Sequence, residues 1–171
     1  MKPDFQLLPG TTDLIENLRA SLDFGHTLKT KTLLTRAEHY LKQPVNSGQY
    51  DFRYLYDVIE TALHQVIEKR AAAFRDMDSA EAFQQIERLL SQLPTQRVRT
   101  NEQTLYQQFS SPAPLAFVAA YLALDGFINP VLLEPSAGTG ALACIARAFG
   151  AQVFTNDLST RRKAFLRFLG F

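Results

Sequence analysis

The chain has 171 residues, of which 46% are hydrophobic and 20% are charged, and its formal net charge is +1. This composition supports a packed core and argues against a disordered chain, while the near-neutral charge gives no basic footprint for nucleic acid. The single cysteine excludes an internal disulfide, and the absence of a signal-peptide pattern and of an apolar run of about 18 residues predicts a cytoplasmic protein without a membrane segment.

Residues 1–95 carry apolar side chains at the spacing of amphipathic helices, which predicts an all-helical extension of about four helices. Each predicted helix is bounded by capping residues or by helix breakers. The first helix is predicted to be capped by Thr11 or Thr12 and to end at Gly25, and the second to cover residues 31–42. The third is predicted to be capped by Asp51, and the fourth to begin with a capping box of Asp78 and Glu81 and to end at Pro94.

The second predicted domain covers residues 96–171. It opens with a polar connector that ends at Gln103, and from Thr104 onward the pattern alternates between helix and strand. Strands are predicted at 131–133 and 152–155, and this alternation is typical of the opening of an α/β domain with a doubly wound, Rossmann-like sheet. Such a sheet needs about five to seven strands to bury both faces. We therefore expect the chain to be the first part of a longer protein.

The segment 133–140 reads Leu-Glu-Pro-Ser-Ala-Gly-Thr-Gly and links the first predicted strand to the next helix. Gly138 and Gly140 allow positive φ and lack the Cβ that would block a ligand, so backbone N–H groups and the helix N-terminus can meet a polar molecule. Asp157 follows nineteen residues after Gly138 (157 − 138), at the end of the second strand. A carboxylate at that distance suits a ribose with two hydroxyls, although it can also cap the following helix.

A second motif lies upstream, where residues 106–112 read Tyr-Gln-Gln-Phe-Ser-Ser-Pro ahead of an apolar helix pattern. Over about residues 103–171, the two motifs resemble the start of the adenine-specific amino-methyltransferases that act on DNA. In that family a Gln-Phe-x-[Thr/Ser]-Pro motif precedes a helix, and an [Asp/Glu]-Pro-x-x-Gly-x-Gly motif follows on the first strand. The resemblance implies that both motifs bind S-adenosylmethionine (SAM), as in proteins of restriction-modification systems and mobile elements.

The resemblance implies a SAM site built from both motifs and from the end of the second strand. Glu134 would lie near the methionyl amino group or else face solvent, and Leu158 would border the adenine or else pack in the core. Ser111 keeps the hydroxyl of the family motif, and it can also cap the next helix. The implied cofactor-binding residues are Phe109, Ser110, Ser111, Pro112, Glu134, Pro135, Ser136, Ala137, Gly138, Thr139, Gly140, Asp157 and Leu158.

The last predicted helix carries four basic side chains, and the chain has three scattered histidines. The basic side chains are read as a solvated helix face, and the histidines lack the spacing of metal ligands, so no metal site is predicted. The basic residues are Arg161, Arg162, Lys163 and Arg167.

The catalytic tetrapeptide of the family, [Asn/Asp/Ser]-Pro-Pro-[Tyr/Phe], has no counterpart in the chain, so no catalytic residue is named. We expect the cofactor-binding half of an adenine-N6 DNA methyltransferase, inactive by itself, with DNA as a partner of the full-length protein. A non-catalytic binding or regulatory module, and a methyltransferase acting on RNA or protein, stay open as alternatives. An unpaired sheet edge also predicts a protein partner or self-association.

Overall fold

The computed structural model describes residues 5–45, 47–48, 50–94 and 110–171. Within these ranges the chain forms seven helices and one two-stranded parallel sheet, and no helix in them is long and apolar enough to cross a membrane. In chain order the elements are α1 (Thr11–Asp23), α2 (Thr30–Leu41), α3 (Phe52–Asp76), α4 (Ser79–Ser91), α5 (Ala113–Leu124), β1 (Val131–Glu134), α6 (Ala141–Ala148), β2 (Gln152–Thr155) and α7 (Thr160–Phe168).

The four helices before Pro94 begin close to where the sequence places them. Asp51 caps α3 by accepting a hydrogen bond from the backbone N–H of Tyr54 at 2.9 Å. Asp78 caps α4 through the N–H groups of Ala80 and Glu81, which is one half of the predicted capping box. Both caps satisfy N–H groups that have no partner within the helix.

The predicted cap of α1 is wrong. The residue at the cap position is Gly10, in a left-handed conformation with φ 81°, and no side chain caps the helix. A Cβ on Gly10 would lie 2.1 Å from the carbonyl oxygen of Tyr40, so only glycine fits between the two helices. The hydroxyl of Thr11 instead forms a buried hydrogen bond of 2.6 Å with the hydroxyl of Tyr54.

The second half of the chain contains a parallel βαβ unit, as the alternation of patterns predicts. Val131 pairs with Gln152 and Glu134 with Thr155, and α6 connects the two strands. The carboxyl ends of both strands therefore lie at the same edge of the sheet. A complete doubly wound sheet stays a prediction, because the described residues contribute two strands.

The helical extension and the βαβ unit share one hydrophobic core across the predicted boundary at residue 95. α3 packs against both α6 and α7, and the ring of Phe165 on α7 lies 5.5 Å from that of Tyr54 on α3. At the far end of α3, Arg147 forms a two-pronged ion pair with Glu68, at 2.6 and 3.0 Å. α3 thus contacts elements on both sides of residue 95, and the division into domains at 1–95 and 96–171 stays a prediction.

A buried ion pair also joins α3 to α7. Asp57 is buried, and its Oδ2 accepts a hydrogen bond from Nε of Arg161 at 2.6 Å, while Nε of Arg162 lies 3.7 Å from Oδ1. Burial raises the pKa of Asp57 to about 6, because the loss of hydration outweighs the attraction of the two guanidinium groups.

One face of the sheet is open. Among the described residues β1 pairs only with β2, and the side chains that share this face include Leu133, which is 69% exposed, and Phe154, which is 53% exposed. Leu115 and Leu122 on α5 are exposed as well. Parallel sheets are normally covered on both faces, so the predicted association through this sheet stays open to test.

Replacement of Asp57 by alanine is expected to lower the free energy of unfolding by about 3–5 kcal/mol, because two guanidinium groups would stay buried without their carboxylate. Denaturant unfolding followed by circular dichroism measures the change. Glu16→Ala, at an exposed position of α1, is the control and should change the free energy by no more than about 0.5 kcal/mol. Equal effects of the two substitutions would contradict this assignment.

Candidate functional site

The glycine loop, residues 135–140, lies at the carboxyl edge of the sheet and leads into α6. Gly138 and Gly140 both have positive φ, at 59° and 96°. The N–H of Gly140 donates to the carbonyl of Ala137 at 2.8 Å, and a Cβ on Gly140 would lie 3.3 Å from the side chain of Leu169. The two glycines are therefore required for a tight turn that packs directly against the end of the chain.

Asp157 is only 5% exposed, and it holds the glycine loop against the end of β2. Its Oδ2 accepts a hydrogen bond from the N–H of Gly138, and its Oδ1 accepts one from the N–H of Ser159, both at 2.8 Å. The cap of α7 is Ser159, whose hydroxyl accepts from the N–H of Arg162 at 3.4 Å. Asp157 is thus not the cap of that helix, and a ribose would have to use the remaining lone pairs of its carboxylate.

The two sequence motifs meet at one small cavity of about 80 Å³ at this edge of the sheet. Ser110 and Ser111 from the first motif face Glu134 and the glycine loop from the second. This volume is far below the roughly 300 Å³ of a typical drug-sized pocket, so the cavity suits one end of a ligand. Its lining residues are Ser110, Ser111, Glu134, Ser136, Ala137, Gly138, Thr139, Ala141, Leu142 and Arg162.

Five of the other predicted site residues do not line this cavity, namely Pro112, Pro135, Gly140, Asp157 and Leu158. Pro112 and Pro135 are exposed, and Pro112 is also the cap residue of α5, where the structure has no side-chain cap, so the predicted capping role of Ser111 is wrong. Leu158 is 75% exposed beside Asp157, so the alternative of a core position is wrong. Phe109 lies outside the described residues.

α3 contributes contacts to the glycine loop that were not predicted from the sequence. Oε2 of Glu60 accepts hydrogen bonds from the hydroxyls of Ser110 and Thr139, both at 2.8 Å. The ring of His64 is buried, and its Nδ1 lies 3.0 Å from the carbonyl oxygen of Thr139. Because a carbonyl only accepts, Nδ1 carries the proton in this contact. Burial lowers the pKa of His64, which favours the neutral ring.

These polar residues have a signal in the sequence. Asp57, Glu60, His64 and Glu68 follow one another along α3 at intervals of three or four residues, which places them along one face of the helix. A polar row inside an otherwise apolar stripe indicates buried polar partners. The partners lie in the second half of the chain, so the row alone does not identify them.

The position of Arg162 differs from the prediction that the basic side chains of the last helix face solvent. Its side chain is buried at 5% exposure and borders the cavity, and its Nη2 donates to the hydroxyl of Ser110 at 3.4 Å. Arg161 is also turned inward, toward Asp57, whereas Arg167 stays exposed. The first turn of α7 therefore directs its two arginines into the molecule.

A larger cavity of about 410 Å³ lies on the other side of Ser110 and Ser111, between α3 and the end of α4. Apolar side chains such as Ile59, Leu63 and Leu90 form much of its wall, with Glu60 and His64 at the side of the loop. Among the described residues there is no group of three or more acidic, histidine or cysteine side chains that could hold a metal ion.

Comparison of the chain with models of protein families, with curated proteins and with solved structures finds no match.

Replacement of Asp157 by alanine is expected to release the glycine loop, because it removes the acceptor of two backbone N–H groups. An unsatisfied buried N–H costs about 1–3 kcal/mol, so the Gly138 amide should exchange with deuterium at least about tenfold faster in native conditions. Asp125→Ala, at the exposed end of α5, is the control and should leave this amide unchanged. Unchanged exchange in Asp157→Ala would show that the carboxylate does not hold the loop.

Proposed function

We propose that this chain is the cofactor-binding part of a SAM-dependent DNA methyltransferase that modifies the N6 amino group of adenine, acting in the cytoplasm. The observation that supports this most is the meeting of the two motifs. Ser110 and Ser111 lie on one side of the small cavity, with Glu134 and the glycine loop on the other. A chance resemblance gives no reason for two separate motifs to line the same space.

The chemistry of the cavity suits the parts of SAM. The glycine loop leads into the N-terminus of α6, whose first residues Ala141 and Leu142 line the cavity, so the positive end of the helix lies beside a polar ligand there. The N–H groups of Gly138 and Gly140 are already bonded within the protein and hold the shape of the loop. Glu134 ends β1 and offers a carboxylate for the methionyl ammonium group. Ligands of open α/β sheets bind at the carboxyl ends of the strands, which is where these groups stand.

Two other nucleotide sites are less well supported. A phosphate-binding P-loop ends in Gly-Lys-[Ser/Thr], and here the loop continues from Gly140 into Ala141 and Leu142. A dinucleotide site also uses a glycine loop, but it has no use for the Glu-Pro dipeptide ahead of it or for the Ser-Ser-Pro segment across the cavity. Both features fit the methyltransferase assignment.

A non-catalytic binding module is the second candidate, and the open sheet face is a surface that such a module could use. Leu133 and Phe154 present apolar side chains on a sheet that is uncovered within the described residues. Exposed apolar patches of this kind mark contacts with other protein segments. The same face would be covered in a longer methyltransferase domain, so the two candidates differ in chemistry rather than in this surface. A methyltransferase acting on RNA or protein is a further alternative.

SAM is expected to bind to the chain weakly and NAD is expected not to bind, and titration calorimetry measures both. Asp157→Ala should weaken SAM binding at least about tenfold, because the variant loses charge-assisted hydrogen bonds to the ribose, worth about 1.5–3 kcal/mol each, and also the acceptor that holds the glycine loop. Asp125→Ala is the control and should bind SAM as the unsubstituted chain does. If Asp157→Ala keeps its fold and its SAM affinity, Asp157 does not belong to the ribose site.

Methyl transfer by this chain alone is expected to be absent, because the sequence has no Pro-Pro-aromatic motif to hold the target amino group. The test is incubation with radiolabelled SAM and with duplex DNA of mixed sequence, and heat-inactivated protein is the control. Label in the DNA above that control would contradict the expectation and would require a catalytic group elsewhere in the chain.

A further inference from the structure

The larger cavity, of about 410 Å³ between α3 and the end of α4, has the dimensions of a site for a small molecule. Sites for organic ligands usually have volumes of about 300–1,000 Å³ and are lined mainly by apolar side chains. Among the described residues, the wall of the larger cavity shares only Ser110 and Ser111 with the small cavity beside the glycine loop. The larger cavity is therefore a separate space, and most of its wall comes from the helical extension.

The wall of the larger cavity is mostly apolar, but it contains two polar side chains close together on α3. Ile59, Leu63 and Leu90 supply aliphatic surface. Glu60 is the one charged residue among the described residues that line the cavity. His64 follows Glu60 one turn later on the same face of α3 and lines the cavity as well. The polar part of the wall is thus small and lies on one side.

Both of these polar side chains are suited to accept hydrogen bonds from a ligand. Nδ1 of His64 donates to the carbonyl oxygen of Thr139 at 3.0 Å, so Nε2 of the neutral ring is an acceptor. Oε2 of Glu60 accepts from the hydroxyls of Ser110 and Thr139, which carry no charge, and a carboxylate has room for more than two donors. A carboxylate in an apolar wall is best matched by a cation that also donates hydrogen bonds.

We propose that the larger cavity binds a small organic cation with an apolar body, such as an aromatic amidine, whose charged end donates hydrogen bonds to Glu60 and His64. The body of the ligand lies against the aliphatic side chains of α3 and α4. A planar amidinium group presents two parallel N–H donors, which match the two oxygens of a carboxylate. This site goes beyond the proposed function, because it does not require that the glycine loop binds SAM.

Three ligands of nearly the same shape separate the effect of charge from that of size. Benzamidine is a cation, benzamide is its neutral analogue and benzoate is an anion. NMR titration of the unsubstituted chain should show saturable binding of benzamidine with a Kd of about 1 mM or lower, which is within the range for a ligand of about nine non-hydrogen atoms. Benzamide should bind at least about tenfold more weakly and benzoate should not bind, because charge-assisted hydrogen bonds are about twice as strong as neutral ones.

Substitution of Glu60 should remove the preference for the cation. Glu60→Gln removes the charge and keeps an acceptor, so the affinities for benzamidine and benzamide should differ by less than about threefold. Glu68→Gln is the matched control, because it removes the same charge from α3 about two turns further along, where the residue does not line the cavity. This control should keep the tenfold preference.

Ser91→Phe tests where the ligand binds. Ser91 is an exposed residue on the cavity wall at the end of α4, and a phenyl ring there would take up part of the space. Benzamidine should bind at least about tenfold more weakly to this variant. Gln84→Phe is the control, since Gln84 is also exposed and lies about two turns earlier on the same face of α4. It should leave the affinity unchanged.

The unsubstituted chain by itself can overturn the proposal. Absence of saturable benzamidine binding would do so and would leave the cavity to another occupant, such as the chain's own segment 95–109, which connects Pro94 to Ser110. Equal affinities for benzamidine and benzamide would also overturn it, since the charge of Glu60 would then play no part. The same holds if Ser91→Phe leaves benzamidine binding unchanged, or if Glu60→Gln keeps the full preference for the cation.

Discussion

The contact between α3 and the glycine loop is the interaction on which the candidate site depends. The hydroxyl of Thr139 donates to Glu60 and its carbonyl accepts from His64, so one loop residue is held at both its side chain and its backbone. Glu60 also accepts from Ser110, which joins the two motif segments through a single carboxylate. Buried polar groups that satisfy one another in this way specify one arrangement of the chain.

The helical extension therefore belongs to the site rather than being an attachment to it. A glycine loop that only followed β1 would be free to take other conformations, because glycine imposes few limits on φ. Here Asp157 holds the loop from the side of β2, and α3 holds it from the side of the helical extension. Arg147 and Asp57 extend the same interface along the length of α3.

The sequence predicts the local part of this arrangement well. Both strands, the caps at Asp51 and Asp78 and the tight turn at Gly138 follow from the spacing and chemistry of neighbouring residues. The partners of α3 could not be predicted in the same way, because Glu60 and Thr139 lie far apart in the chain. The inward position of Arg162 was missed for a related reason, since a basic side chain on a short helix is exposed unless tertiary partners bury it.

The backbone contact of His64 with Thr139 has a thermodynamic consequence for regulation. Any ligand that moves the loop must also change the energy of a contact made by α3, and any partner that shifts α3 must change the energy of the loop. Such linkage is reciprocal: the factor by which a partner of the helical extension alters ligand affinity equals the factor by which the ligand alters affinity for that partner. A protein that binds elsewhere on the helical extension and shifts α3 would thus act as an effector of the loop, without touching the cavity.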